Sequence, residues 1–107
     1  MAEAIRNIEA AIAGVTPDAF EADWRSRWLV ERGLEIVSEA SRHLPPAMKA
    51  RHAAVPWRKV AGIGNVLRHE YHRVAPPILW ALLQQDLPAL RDAVEAEIAA
   101  IRAGPEG

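Results

Sequence analysis

"VPWRKVAGIGNVLRHEYHRV" (55–74) decides how the rest of this chain is read. At about 100° per residue, Val60, Ile63, Leu67 and Val74 fall on one side of a helix, and Asn65, Arg68, His69 and His72 fall within an arc of roughly 100° opposite them. No sustained period-2 alternation competes with that pattern, so the segment predicts a helix with one apolar and one titratable face. Tyr71 lies at the edge of the apolar side, where its ring can be buried while its hydroxyl reaches out. Glu70 points away from both histidines.

Upstream and downstream, apolar residues keep recurring three and four apart, and the whole chain reads all-α. Ile5, Ile8, Ile12 and Val15 form the stripe of a first helix that Gly14 ends. Thr16-Pro17-Asp18 then caps a short turn of helix over 17–22. A second major helix is predicted from about Asp23 to His43, with Leu29, Gly33, Ile36, Val37, Ala40 and Leu44 on its core face. Pro45-Pro46 stops it, and residues 46–56 read as a turn of helix and a loop. Pro76-Pro77 opens another helix with Ile78, Leu79 and Leu82 as its apolar positions, and Asp86 and Pro88 open a last one. That last stripe is Leu87, Leu90, Val94, Ile98 and Ile101, ended by Gly104-Pro105. The expected architecture is an antiparallel bundle of four to five helices, one domain over 1–103 with a frayed tail at 104–107.

Composition narrows the setting. With 107 residues and 50% apolar content the chain can bury one core. It has no cysteine, which removes disulfides and thiolate metal sites and favours a cytoplasmic location. No signal peptide is visible, and no apolar run approaches the ~20 residues that a membrane span needs, so no membrane role is expected. The net charge of −1 hides an uneven distribution: residues 1–41 carry eight acids and four bases, 42–73 one and seven, 74–107 five and two. All four histidines (His43, His52, His69, His72) lie in the basic middle third, where an anionic partner such as RNA is drawn. Four tryptophans are many for so small a bundle, and Trp24 and Trp28, one turn apart, point to the core or a subunit contact. His43 and His52 are expected on the surface near the loops.

Three chemistries are open to the polar face of 55–74. For a metal, His69 and His72 at i, i+3 lack a carboxylate or thiolate at compatible spacing, and "HEYH" is not the HExxH spacing of zinc proteases, so no metal is assigned. Metal-independent RNA cleavage needs an acid/base that titrates near neutrality and a cation for the phosphate, which His and Arg supply. A binding face without turnover uses the same residues, and spacing alone does not separate it from the second chemistry or from a solvated helix face.

Three blocks in this order, "RGLEIVSEASRHL" (32–44), "VPWRKVAGIGNVLRHEYHRV" (55–74) and "ILWALLQQDLPAL" (78–90), resemble the HepT-like proteins of the HEPN superfamily, over about Ile5 to Ile98. The resemblance implies an all-helical HEPN bundle, a homodimer and a metal-independent endoribonuclease without cofactor, acting as the toxin of a toxin–antitoxin module. It also implies a partner, a minimal nucleotidyltransferase of the MntA type, which neutralises the toxin by transferring AMP to a tyrosine. The family pattern is an Arg, usually followed by Asn, then a His five residues after the Arg, one residue, and the Tyr. Asn65, His69 and Tyr71 match the Asn, the catalytic His and the AMP acceptor. The Arg is replaced by Gly64, and Arg68, one helical turn on and about 40° around the same flank, is the expected substitute, with Arg73 or the partner subunit's residues in support. His72 and Glu35 are further supporting candidates, with Glu35 and Glu39 matching the family's second-helix block. The missing Arg also leaves a second reading open: a HEPN dimer that binds the nucleotidyltransferase without cleaving RNA.

Overall fold

The computed structural model describes residues 1–69 and 74–104, and these form seven helices and no strand. They are α1 (Ala2–Ile12), α2 (Pro17–Ala22), α3 (Trp24–Arg42), α4 (Pro46–Arg51), α5 (Trp57–His69), α6 (Pro76–Gln85) and α7 (Leu87–Ala103). Five are long and two are six-residue turns at the places where the sequence predicts short helix, so the all-helical bundle stands as expected.

Each boundary has a local cause. Gly14 takes φ +73 and turns the chain out of α1. The Thr16 hydroxyl accepts from Ala19 N at 3.1 Å, and Pro17 sits at the first helical position of α2. Asp23 caps α3 with both carboxylate oxygens, accepting from Arg25 N at 3.0 Å and from the Ser26 hydroxyl at 2.7 Å. The Ser26 bond, first among its partners, holds the Asp23 carboxyl below its ordinary range. Prolines open α4 and α6 and fall in the first turn of α7, where a missing N–H costs nothing. Trp57 ties the α4–α5 connector down, its indole N–H shared between the carbonyls of Lys49 and His52 at 3.0 Å each.

The long helix α3 is the spine: α1 and α5 pack along it, α2 packs on it and on α6, and α7 closes the bundle against α6 and α1. The core between them holds Ile5, Ile8, Phe20, Val30, Leu34, Val37, Val60, Leu67, Leu79, Leu83, Leu87 and Leu90. Phe20 and Trp80 meet in it with ring centroids 5.2 Å apart. Ile63 is partly buried against it, and so is Val74, which lies outside any helix and not on the helical stripe expected over 55–74. Glycine at 33 lets α1 approach α3, because a Cβ there would lie 2.6 Å from Ile8 Cγ1.

The face that α3 turns inward differs from the expected one. Its buried residues are Val30, Leu34, Val37, Ser38 and Ser41, while Leu29 is 48% and Ile36 42% exposed. Apolar residues run around more of α3 than one chain's core can cover, and the core takes only part of the arc. Trp24 and Trp28 also lie outside, 50% and 66% exposed, packed edge to face at 4.9 Å with the Arg25 guanidinium 5.3 Å from the Trp24 ring. They are therefore not core residues.

Candidate functional site

The seam between α3 and α5 builds the site. Ser38 is 1% exposed, and its hydroxyl donates to Ala61 O at 2.8 Å and accepts from Gly64 N at 3.1 Å. One turn later on α3, Arg42 donates from Nε and Nη2 to the same Ala61 carbonyl at 3.1 and 2.9 Å. Later residues of α3 thus meet earlier residues of α5, and the two helices run antiparallel.

That orientation brings Arg68 of α5 beside Glu35 of α3. Arg68 lines an open groove of about 440 Å³ together with Arg32, Glu35, Ile36, Glu39 and Ala40. Arg32 reaches Glu35 at 3.3 Å, and His43 reaches Glu39 at 3.2 Å, so both acids of this wall have a cationic or ionisable neighbour. Asn65 and His69 are exposed on α5 beside Arg68 but are not part of the groove wall, and His69 is the last described residue of α5. Tyr71, His72 and Arg73 lie outside the described residues.

Gly64 is buried, and its close approach is to its own chain. A Cβ at position 64 would lie 2.8 Å from Ser38 Oγ and 3.0 Å from Ser38 Cβ, and 3.6 Å from Arg68 Nη1. A side chain at 64 would therefore collide with the seam, and the Arg68 guanidinium lies next to the place where that side chain would begin. Ser38 was not singled out by sequence reasoning; its only signal is a small polar residue at helical spacing from Ser41 on a face that is otherwise apolar.

A second ionic cluster joins the α4 end to α7. Glu97 receives Arg51 Nη2 at 2.7 Å and lies 2.6 Å from His52 Nε2, which is half-buried instead of on the surface as expected. Hydrogen bonds from Arg51 first and His52 second hold the Glu97 carboxyl down at about 2. Among the described residues no group of three His, Asp or Glu side chains is placed to hold a metal ion, and no helix is long and apolar enough to cross a membrane.

The family model for ribonuclease HepT-like proteins matches residues 1–97. The chain belongs to the HepT-like family. It is 35% identical over 95 residues to a probable ribonuclease HepT of Thermococcus cleftensis, covering 89% of this chain and 86% of that one. It is also 38% identical over 64 residues to a presumed RNase of Caldanaerobacter subterraneus, covering 60% and 57% of the two chains. A presumed RNase of Methanocaldococcus jannaschii matches at 35% over 69 residues, covering 64% and 63%. The matched stretch thus spans less than two-thirds of the length of these last two proteins. No solved structure matches the chain significantly. At position 64, where the resemblance implies an arginine, the seam gives the glycine a steric reason.

Proposed function

We propose that this HepT-like chain is a metal-independent endoribonuclease, the toxin of a two-component module, whose cation has moved one turn along α5 from position 64 to Arg68. The observation that carries the reading is the placement of Arg68: its guanidinium lies beside the blocked position 64 and on the wall of an open groove. In the reaction, Arg68 steadies the scissile phosphate through charge-assisted hydrogen bonds. His69 accepts the proton of the RNA 2′-hydroxyl as that oxygen attacks the neighbouring phosphorus. The P–O5′ bond breaks, and the proton is returned to the leaving 5′-oxygen. Asn65 adds a hydrogen-bonding group on the same face, and Glu35, already paired to Arg32, orients the groove wall. Arg73 supplements the positive charge, and His72 is a further supporting side chain.

The active form is a homodimer, and its seam runs along α3. Trp24, Trp28, Leu29 and Ile36 are the exposed large apolar side chains of that helix, whereas α5 exposes none among its described residues. Two copies of α3 laid antiparallel about Arg32 set Arg25 of one beside Glu39 of the other and Trp28 beside Ile36. Because the Arg68 groove shares Arg32, Ile36 and Glu39 with this face, pairing joins the two sites into one composite cleft. A minimal nucleotidyltransferase of the MntA type silences the cleft by attaching AMP to Tyr71, adding bulk and negative charge where phosphate must enter.

A second reading rests on Gly64 itself: a dimer that keeps the nucleotidyltransferase contact but no longer cleaves. Incubating the purified protein with RNA in excess chelator separates the two. Cleavage by the wild type that is lost in His69→Ala is the expected result, and an unmodified wild type that leaves RNA intact supports the binder. After co-expression with a cognate nucleotidyltransferase, the Tyr71 peptide should gain AMP by mass spectrometry; a peptide without it removes the neutralisation scheme.

A further inference from the structure

A buried hydroxyl costs stability unless it is hydrogen-bonded, and an alanine would fill the centre of the α3–α5 seam without that risk. Ser38 is there instead, with its donor and its acceptor capacity both used on one turn of α5: Ala61 O at 2.8 Å and Gly64 N at 3.1 Å. Apolar packing fixes how close two helices lie but is permissive about rotation and sliding. A hydroxyl that must satisfy a carbonyl and an N–H of the same turn is not, because both bonds fail when the helix rotates or shifts by part of a residue. Gly64 completes the device, since any Cβ there would press on Ser38 at 2.8–3.0 Å and drive the helices apart.

From this arrangement we infer that Ser38 is a positioning residue, which sets the rotation and register of α5 so that Arg68 faces the groove with His69 exposed beside it. The inference rests on the nuclease reading above and adds to it the residue through which the site is held. Arg68 lies one turn, about 6 Å of helix rise, beyond Gly64. On the opposite helix, Glu35 lies one turn before Ser38, so the Ser38–Gly64 contact fixes both walls of the groove one turn from where they are used. Arg42 bonds the same Ala61 carbonyl, but it does so from an exposed position at the end of a long flexible arm, which restrains rotation less.

Steady-state cleavage of an oligoribonucleotide by two variants tests this, on preparations shown to be folded at the assay temperature. Ser38→Ala keeps the Cβ and loses both bonds; kcat should fall about tenfold with KM within about twofold of wild type, as a misplaced reacting group requires. Ser38→Gly combined with Gly64→Ala moves the Cβ across the seam, restoring volume without the hydroxyl. Its melting temperature should approach wild type while kcat stays low. Full kcat in Ser38→Ala, or recovery of kcat in the double variant, overturns the inference in favour of packing alone.

If the wild type shows no His69-dependent cleavage, the nuclease reading fails, and a second measurement still decides the positioning role. The chain has no cysteine of its own, so Glu39→Cys and Arg68→Cys place two spin labels per subunit across the groove, read within one subunit by dilution with excess unlabelled wild type. Their distance distribution should broaden or shift in the Ser38→Ala background. An unchanged distribution overturns the role of Ser38.

Discussion

Replacing Trp28 by alanine should dissociate the proposed dimer while leaving each subunit folded. The side chain is 66% exposed in the single chain. For an aromatic of ~200 Å² that is ~130 Å² of mostly apolar surface, worth ~3 kcal/mol if the partner covers all of it at ~25 cal/mol/Å². A two-fold seam contains the residue twice. Even if pairing covers only half of that area, the variant dimer loses ~3 kcal/mol, which weakens its Kd by roughly 100-fold. Sedimentation velocity over a dilution series reads this directly, with thermal melting as the control for folding of the monomer. Ile101→Ser is the matched control, since Ile101 is 77% exposed but lies in the last turn of α7, away from the α3 face. Its dimer constant should equal that of the wild type. A Trp28→Ala variant that dimerises as tightly as the wild type, or a wild type that sediments as a monomer throughout, refutes the α3 seam.

Two further outcomes follow from the packing and the charges. Gly33→Ala should lower the melting temperature: the new Cβ meets Ile8 Cγ1 at 2.6 Å and Cδ1 at 2.9 Å, and Ile8 has no exposed surface into which to retreat. Overpacking of ~1–3 kcal/mol outweighs the ~1 kcal/mol gained in helix propensity, and Ile8→Val in the same chain should return part of the loss; an unchanged or higher melting temperature in Gly33→Ala contradicts the close approach. Glu97 gives the second. Its carboxyl is held at about 2 against an ordinary 4.5, so it contributes stability that is complete above that ordinary value and is lost as pH falls toward the lower one. Urea midpoints over that window should fall less steeply in Glu97→Gln than in wild type, and parallel pH profiles would remove the cluster as a source of acid sensitivity.

The helix boundaries were legible because punctuation is local chemistry. Thr16-Pro17, Asp23, Pro45-Pro46, Pro76-Pro77, Pro88 and Gly104 act on their own backbone neighbours, and a sequence displays those neighbours, whereas Asp86 makes no capping hydrogen bond and pairs with Lys59 instead. The inward face of α3 was less legible. Leu29 and Val30 are adjacent, as are Ile36 and Val37, so the apolar arc is broad, and periodicity cannot say which part meets the chain's own core and which part is left for another surface. His52 looked like a loop histidine because its partner, Glu97, lies forty-five residues away. The same limit hid the reason for Gly64. Read along the chain it is a lost cation, but across the seam it is the complement of Ser38, twenty-six residues earlier. The polar set Asn65, Arg68 and His69 was legible as one exposed face because it needs nothing beyond the helical period.

The displaced cation is the central claim, and the cleavage rate of Arg68 variants tests it most directly. Single-turnover cleavage of RNA by Arg68→Ala should be slower than wild type by at least roughly 100-fold, the usual consequence of removing one charge-stabilising donor. Arg68→Lys should recover only part of that, since a point charge lacks the guanidinium fork. A wild type whose His69-dependent cleavage is left intact by Arg68→Ala would contradict the account.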